Sequence, residues 1–214
     1  MDYTKFDYSV INDFFPKGML SIIAGRPAIG KTAFVNHVAQ VLSQHGERVL
    51  YFCLEPFTTE QNERLNKSNL LPHIVTIPAV SIGEVQYLVN QGKWKYDAII
   101  IDYVQLMDFI RDNNCISRDE ELKAIWHALD DLAVSKNLRV IGVSQLDRMS
   151  IDGSEEGIPE NSMDYMDRDF LAKRLKVIHR PSYYTNERDS SCILPIELID
   201  YTIDNKPLVY GIHY

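Results

Sequence analysis

Cysteine is scarce in this chain. Cys53, Cys115 and Cys192 are the three present, and no two form a CxxC pair. An odd, sparse set argues against a disulfide framework and fits a reducing compartment. Long apolar runs are missing as well: none approaches the roughly 20 residues that a membrane-spanning helix needs. The opening MDYTKFDYSV mixes acids, a lysine and aromatics, which is no signal-peptide pattern. Together these absences predict a soluble, cytoplasmic protein without a membrane partner. Basic charge is not in excess, since the net charge is −8, and this argues against a general nucleic-acid coating protein. A local DNA-binding surface stays open. Six histidines, His37, His45, His73, His127, His179 and His213, show no HExxH or paired-ligand spacing, so no zinc site is expected. No GxSxG elbow, internal repeat or low-complexity tract occurs.

The 214 residues are 45% hydrophobic and 24% charged, values that exclude wholesale disorder and allow one large domain. Short apolar runs at 19–24, 49–54, 74–77, 98–101 and 140–143 read as buried strands. Helical segments are expected at 31–43, 59–66, 81–90 and 118–135. Ser81 with Glu84 reads as a capping box. In 118–135, Leu122, Ile125, Trp126, Leu129 and Leu132 recur at helical spacing. Near-continuous apolar strands alternating with helices imply an α/β fold, with a mostly parallel central sheet covered on both faces. Further on, 175–179, 193–201 and 208–214 read as strands, the last two as a C-terminal antiparallel hairpin across Asp204-Asn205-Lys206-Pro207. Residues 1–17 read as an N-terminal arm or linker remnant that packs on this chain or on a neighbour, and 18–214 as the main domain.

Chemistry concentrates first in Gly25-Arg26-Pro27-Ala28-Ile29-Gly30-Lys31-Thr32, which fits GxxxxGK[ST] between a strand and a helix. Glycines let backbone N–H groups turn inward, and with the helix N-terminus they cradle phosphate oxygens. Lys31 would neutralise the β- and γ-phosphates of ATP, and the Thr32 hydroxyl would coordinate Mg²⁺. Asp102 ends the apolar run 98–101, so a buried strand would bring a second metal anchor. Glu55 follows the strand at 49–54, where carboxyl ends line the ligand crevice of a parallel sheet. It would polarise the attacking water, although a solvated Glu before Pro56 accounts for it equally well. Gln145 ends the strand at 140–143. Its amide would contact the γ-phosphate, or it is simply a polar strand terminus.

Taken in this order, the elements resemble the RecA-like ATPase domain of DnaB-type replicative DNA helicases. GMLSIIAGRPAIGKTAFVNHV at 18–38, the run from Val49 through Glu55 to Arg64, IIIDYVQLM at 99–107, Ser117-Arg118, Leu122-Lys123 and VIGVSQLDR at 140–148 carry the likeness. It covers about residues 18–148 well and the remainder loosely. The resemblance implies a RecA-like P-loop NTPase. In it Glu55 is the catalytic carboxylate, Gln145 the γ-phosphate sensor and Arg64 a contact near the nucleotide. It also implies a hexameric homo-oligomer on single-stranded DNA, with channel loops at about 107–117 and 147–163, and a replication-protein partner.

Four departures accompany it. The family's N-terminal collar has no counterpart in these residues, which reads as a fragment or a shortened relative. Alignment puts Thr202 and Asp204 where the family's hairpin carries the lysine and arginine that reach a neighbour's ATP. A trans arginine supplies roughly 10³–10⁵ in rate in related systems. The segment 146–160 holds one base, Arg148, against Asp147, Asp152, Glu155, Glu156 and Glu160, which repels phosphates. Last, Lys173, Arg174, Lys176 and Arg180 form a basic cluster, read either as a solvated helix face or as a contact for DNA or a partner. The departures leave two readings: an ATP-hydrolysing motor, and a non-motor paralogue that regulates or loads a helicase. A small-molecule P-loop kinase is the third, without a recognisable Arg-rich lid.

Overall fold

The computed structural model describes residues 4–5, 7–55, 73–76, 79–91, 95–108, 117–146, 163, 166–179, 193–200 and 207–213. The apolar runs become β2 (Met19–Gly25), β3 (Val49–Cys53), β5 (Ala98–Asp102) and β6 (Arg139–Gln145), which are buried almost end to end. Around them lie β1 (Thr4–Lys5), β4 (His73–Thr76), β7 (Leu175–His179), β8 (Ile193–Asp200) and β9 (Pro207–His213). The sheet runs β1-β9-β8-β7-β2-β6-β5-β3-β4. Every pairing from β7 across to β4 is parallel. The hairpin expected at the C-terminus is present: β8 is antiparallel to β7 and to β9, in register from Ile193↔His213 to Ile199↔Pro207.

Side chains alternate across a strand, and this divides the core in two. One face collects Leu20, Ile22, Phe52, Ile99, Ile101 and Val140 under Ile125, Trp126 and Leu129. These last three belong to α4 (Arg118–Lys136). On the other face Ile23, Tyr51, Ile100, Ile141 and Val143 meet Phe34, Val35 and Val38, which lie on α2 (Lys31–Gln44). Each such burial contributes about 1.5–3 kcal/mol. The expected capping box opens α3 (Ile82–Asn90), where the Glu84 N–H donates to Ser81 Oγ at 3.2 Å and the Ser81 N–H to Glu84 Oε2 at 2.7 Å. Ser117 and Glu120 make a second box at α4, whose first turn is acidic and whose last carries Lys136, in agreement with the helix dipole.

The arm holds a helix that apolar periodicity did not suggest, α1 (Tyr8–Phe14), capped by Asp7. Ile11, Phe14 and Phe15 are buried against α2. Arg139, itself buried on β6, fixes this segment: its guanidinium donates to the carbonyls of Ile11 and Phe15, to Asn12 Oδ1 at 2.7 Å and to Glu47 Oε1 at 3.1 Å. The basic cluster does not share one helix face. α5 (Arg168–Ala172) ends before it. Arg174 pairs with Asp130 at 2.7 Å and lies over the Phe170 ring, and Lys176 is buried on β7 above Phe15. Arg180, the helix expected at 59–66 and the segment 147–160 lie outside the described residues.

Candidate nucleotide site

β2 delivers the chain to Gly25, where there is no room for a side chain. A Cβ would sit 3.0 Å from Ile29 Cγ2 and 3.1 Å from the Ile178 carbonyl oxygen. The loop then turns through Ala28 at φ 60° and Gly30 at φ 109°. Gly30 precedes α2 without any side-chain cap, so the first N–H groups of that helix face the loop. Arg26, Pro27 and Ile29 are half-buried in this loop and Ala28 is exposed. Lys31 opens α2 and is buried; its ammonium donates to the carbonyls of Gly25 at 2.9 Å and Arg26 at 2.8 Å. Burial lowers its pKa, against the opposing pull of the Asp102 and Glu55 carboxylates.

One strand, β6, separates β2 from β5. At the carboxyl end of β5, Asp102 is 3% exposed. Burial raises its pKa, opposed by hydrogen bonds from the Thr32 hydroxyl and the Tyr51 phenol, while Glu55 pushes it further up and Lys31 pulls it down. The Tyr51 bond, Oη to Asp102 Oδ2, measures 3.1 Å. Among the described residues no group of three or more His, Cys, Asp or Glu is placed to hold a metal. Mg²⁺ characteristically takes only one or two protein oxygens, with phosphates and waters completing its shell. A threonine hydroxyl bonded to a buried aspartate suits that demand.

Glu55 follows β3 on its exposed end. Its carbonyl accepts from Cys53 Sγ at 2.8 Å, and Leu54 N donates to the Asp102 carbonyl at 2.8 Å, so β3 and β5 stay joined up to the acid. Burial, then Asp102, pushes the Cys53 thiol up to about 12, which leaves it unreactive. Gln145 ends β6 in register with Gly25. The structure therefore brings Gly25, Lys31, Thr32, Glu55, Asp102 and Gln145 to the carboxyl ends of neighbouring strands. Arg64, Thr202 and Asp204 lie outside the described residues. Two side chains here escaped the sequence reading, Tyr51 and Gln105. For Tyr51 the available signal was an aromatic hydroxyl on an otherwise apolar strand. For Gln105 it was a lone amide just past the Asp102 strand.

A phosphate loop between β2 and α2, an acid at the end of the strand beyond β6, and an antiparallel extension past β7 define a RecA-like P-loop fold. The chain belongs to the DnaB-like helicase C-terminal domain family, whose model matches residues 2–71 and 58–199. It is 29% identical over 180 residues to a probable replicative DNA helicase of Trieres chinensis, covering 67% of this chain and 39% of that one. To the replicative DNA helicase DnaB of Geobacillus stearothermophilus it is 26% identical over 221 residues, covering 85% and 47%. It thus spans less than half the length of these curated relatives. Among solved structures it resembles a DnaB-like replicative helicase described with its interactions with primase (TM-score 0.74, 19% identity, 99% of this chain and 59% of that one). A second solved structure, an isolated ATPase domain, is also similar (TM-score 0.69, 20% identity, 92% and 82%). Among the described residues no helix is long and apolar enough to cross a membrane.

Proposed function

We propose that this domain binds Mg²⁺-ATP at residues 25–32 and hydrolyses it, as the motor domain of a cytoplasmic replicative helicase acting on single-stranded DNA. The observation that carries the reading is the hydrogen bond between Thr32, on the phosphate loop, and Asp102, on a strand 70 residues later. Those two oxygens would hold the metal, which supplies charge neutralisation across the β- and γ-phosphates. Lys31 exchanges its two loop carbonyls for phosphate oxygens. The backbone from Arg26 to Thr32 wraps the phosphates. Glu55 orients the attacking water and accepts its proton, and Gln145 contacts the γ-phosphate. Arg64 approaches the nucleotide, and the chain works in a homo-oligomer, a hexameric ring, with a replication protein as partner.

A second reading is favoured by Thr202 and Asp204, which stand where the family's trans lysine and arginine are expected. In it the chain is an ATP-binding paralogue that regulates or loads another helicase, with weak turnover or none. ATPase rate with and without single-stranded DNA, on protein whose oligomeric state is measured in Mg²⁺-ATP, separates the two. DNA-stimulated turnover within a ring supports the motor; a monomer that binds ATP without turnover supports the regulator.

A further inference from the structure

β5 and β6 pair only as far as Ile101↔Gly142. Beyond that point the β5 chain leaves the sheet through the single 3-10 turn Val104–Leu106, and the last residues of β6 lose their strand neighbour on that side. The side chain of Gln105 takes its place. Its Nε2 donates to Ser144 Oγ at 2.8 Å and to the Gln145 carbonyl at 3.0 Å, and its Oε1 accepts from the Gln145 N–H at 3.3 Å. One primary amide thus satisfies both main-chain groups of Gln145, as a neighbouring strand would.

On the opposite side Gln145 is in register with Gly25, the first residue of the phosphate loop. The Gly25 carbonyl accepts from the Leu146 N–H at 3.0 Å and from Lys31 Nζ at 2.9 Å. Gln105 is itself held in place. Arg118, at the start of α4, donates to the carbonyls of Gln105 at 2.8 Å and Met107 at 2.9 Å, and its other nitrogen pairs with the buried Glu121 at 2.8 Å. A turn that needed only to leave the sheet would not require an amide in this position.

We propose that Gln105 is the positioning residue for Gln145: it sets the height and orientation of the end of β6 at which the γ-phosphate is read. This rests on the reading of Gln145 as a γ-phosphate sensor. A misplacement of about 1 Å at such a site costs on the order of 100-fold in rate. Discrimination between nucleotides with and without a γ-phosphate should therefore depend on Gln105 through Gln145.

The test is the ratio of affinities for the non-hydrolysable triphosphate AMP-PNP and for ADP, each with Mg²⁺, measured by calorimetry. It compares wild type, Gln145→Ala, Gln105→Met and the double variant. Both single variants are expected to lower the ratio about fivefold or more, the size of one lost hydrogen bond to a charged group, while ADP affinity changes less than about twofold. The double variant is expected to match Gln145→Ala within about twofold, because both changes remove the same interaction. Ser144→Ala removes one of the three bonds and should lower the ratio less, which keeps the test decisive if Gln105→Met unfolds. A ratio lowered by Gln145→Ala but untouched by Gln105→Met or Ser144→Ala overturns the positioning role alone, as does a double variant in which the two losses multiply. Failure of the wild type to bind either nucleotide, or indifference of the ratio to Gln145→Ala, overturns the sensor reading and this inference with it.

Discussion

The phenol of Tyr51 donates to Oδ2 of Asp102 across the β3–β5 pair at 3.1 Å, and both groups are buried. A carboxylate in such a place is held by its donors. Burial, then the nearby Asp102 charge, raises the phenol's own pKa well above its ordinary value, so Tyr51 stays a donor. Tyr51→Phe removes one bond to an acidic group and should destabilise the fold by about 1.5–3 kcal/mol. For a domain of this size that is a fall in melting temperature of roughly 3–12 °C. An unchanged melting curve would show that the bond contributes nothing.

Gly142 lies under Trp126. A Cβ there would come within 2.4 Å of Trp126 Cζ3 and 2.8 Å of Cη2, and the indole is fully buried. Neither the ring nor the strand can yield cheaply. Gly142→Ala should cost about 1–3 kcal/mol from overpacking, read by denaturant unfolding. A stabilised variant would contradict the packing described.

Arg139 ties α1 to the body of the domain through two carbonyls, Asn12 and Glu47. Arg139→Ala leaves Glu47 buried without its guanidinium, and breaking a buried pair in this way costs about 3–5 kcal/mol. Protease sensitivity of the first 17 residues should rise along with the loss of stability. A loss near zero would mean that α1 is held by its apolar face alone.

Asp97 gives a pH dependence. Burial pushes its pKa up, but the Lys17 ammonium at 2.9 Å and the Arg48 N–H at 3.1 Å outweigh it, so the net shift is downward. A carboxyl whose folded pKa is depressed contributes stability above its unfolded value, about 3.9. That stability is lost as pH falls through the lower folded pKa. Asp97→Asn should therefore flatten the acid limb of the stability profile below about pH 4 and leave its shape at neutral pH unchanged. An identical acid limb in the variant would count against the shift.

The parallel core was legible because buried strands read as unbroken apolar runs, and the ends of 19–24, 98–101 and 140–143 moved by only a residue or two. The phosphate loop was legible because its glycines answer local constraints, a crowded Gly25 and a left-handed Gly30. α1 was not, since its stability comes from Arg139, more than 120 residues away, and no local pattern records that. The basic cluster misled for the same reason: Arg174 and Lys176 are engaged by Asp130, Phe170 and Phe15. Tyr51 and Gln105 were hidden because strand pairing, not sequence distance, brings them to the site.

Glu55 is exposed at the carboxyl end of β3 and acts on Lys31 and Asp102 through its charge. Glu55→Gln should leave Mg²⁺-ATP affinity within about threefold and lower turnover by roughly 10²-fold or more, the usual scale for a general base. Normal turnover in this variant would remove Glu55 from the chemistry.

Everything proposed for this domain depends on a triphosphate bound by the loop from Gly25 to Thr32 with Lys31 at its centre. Isothermal titration of Mg²⁺-ATP into the wild type and into Lys31→Ala tests this most directly. Saturable binding in the first that disappears in the second, with both proteins folded by circular dichroism, is the predicted result. Equal affinity in the two, or no heat in the wild type, would contradict it.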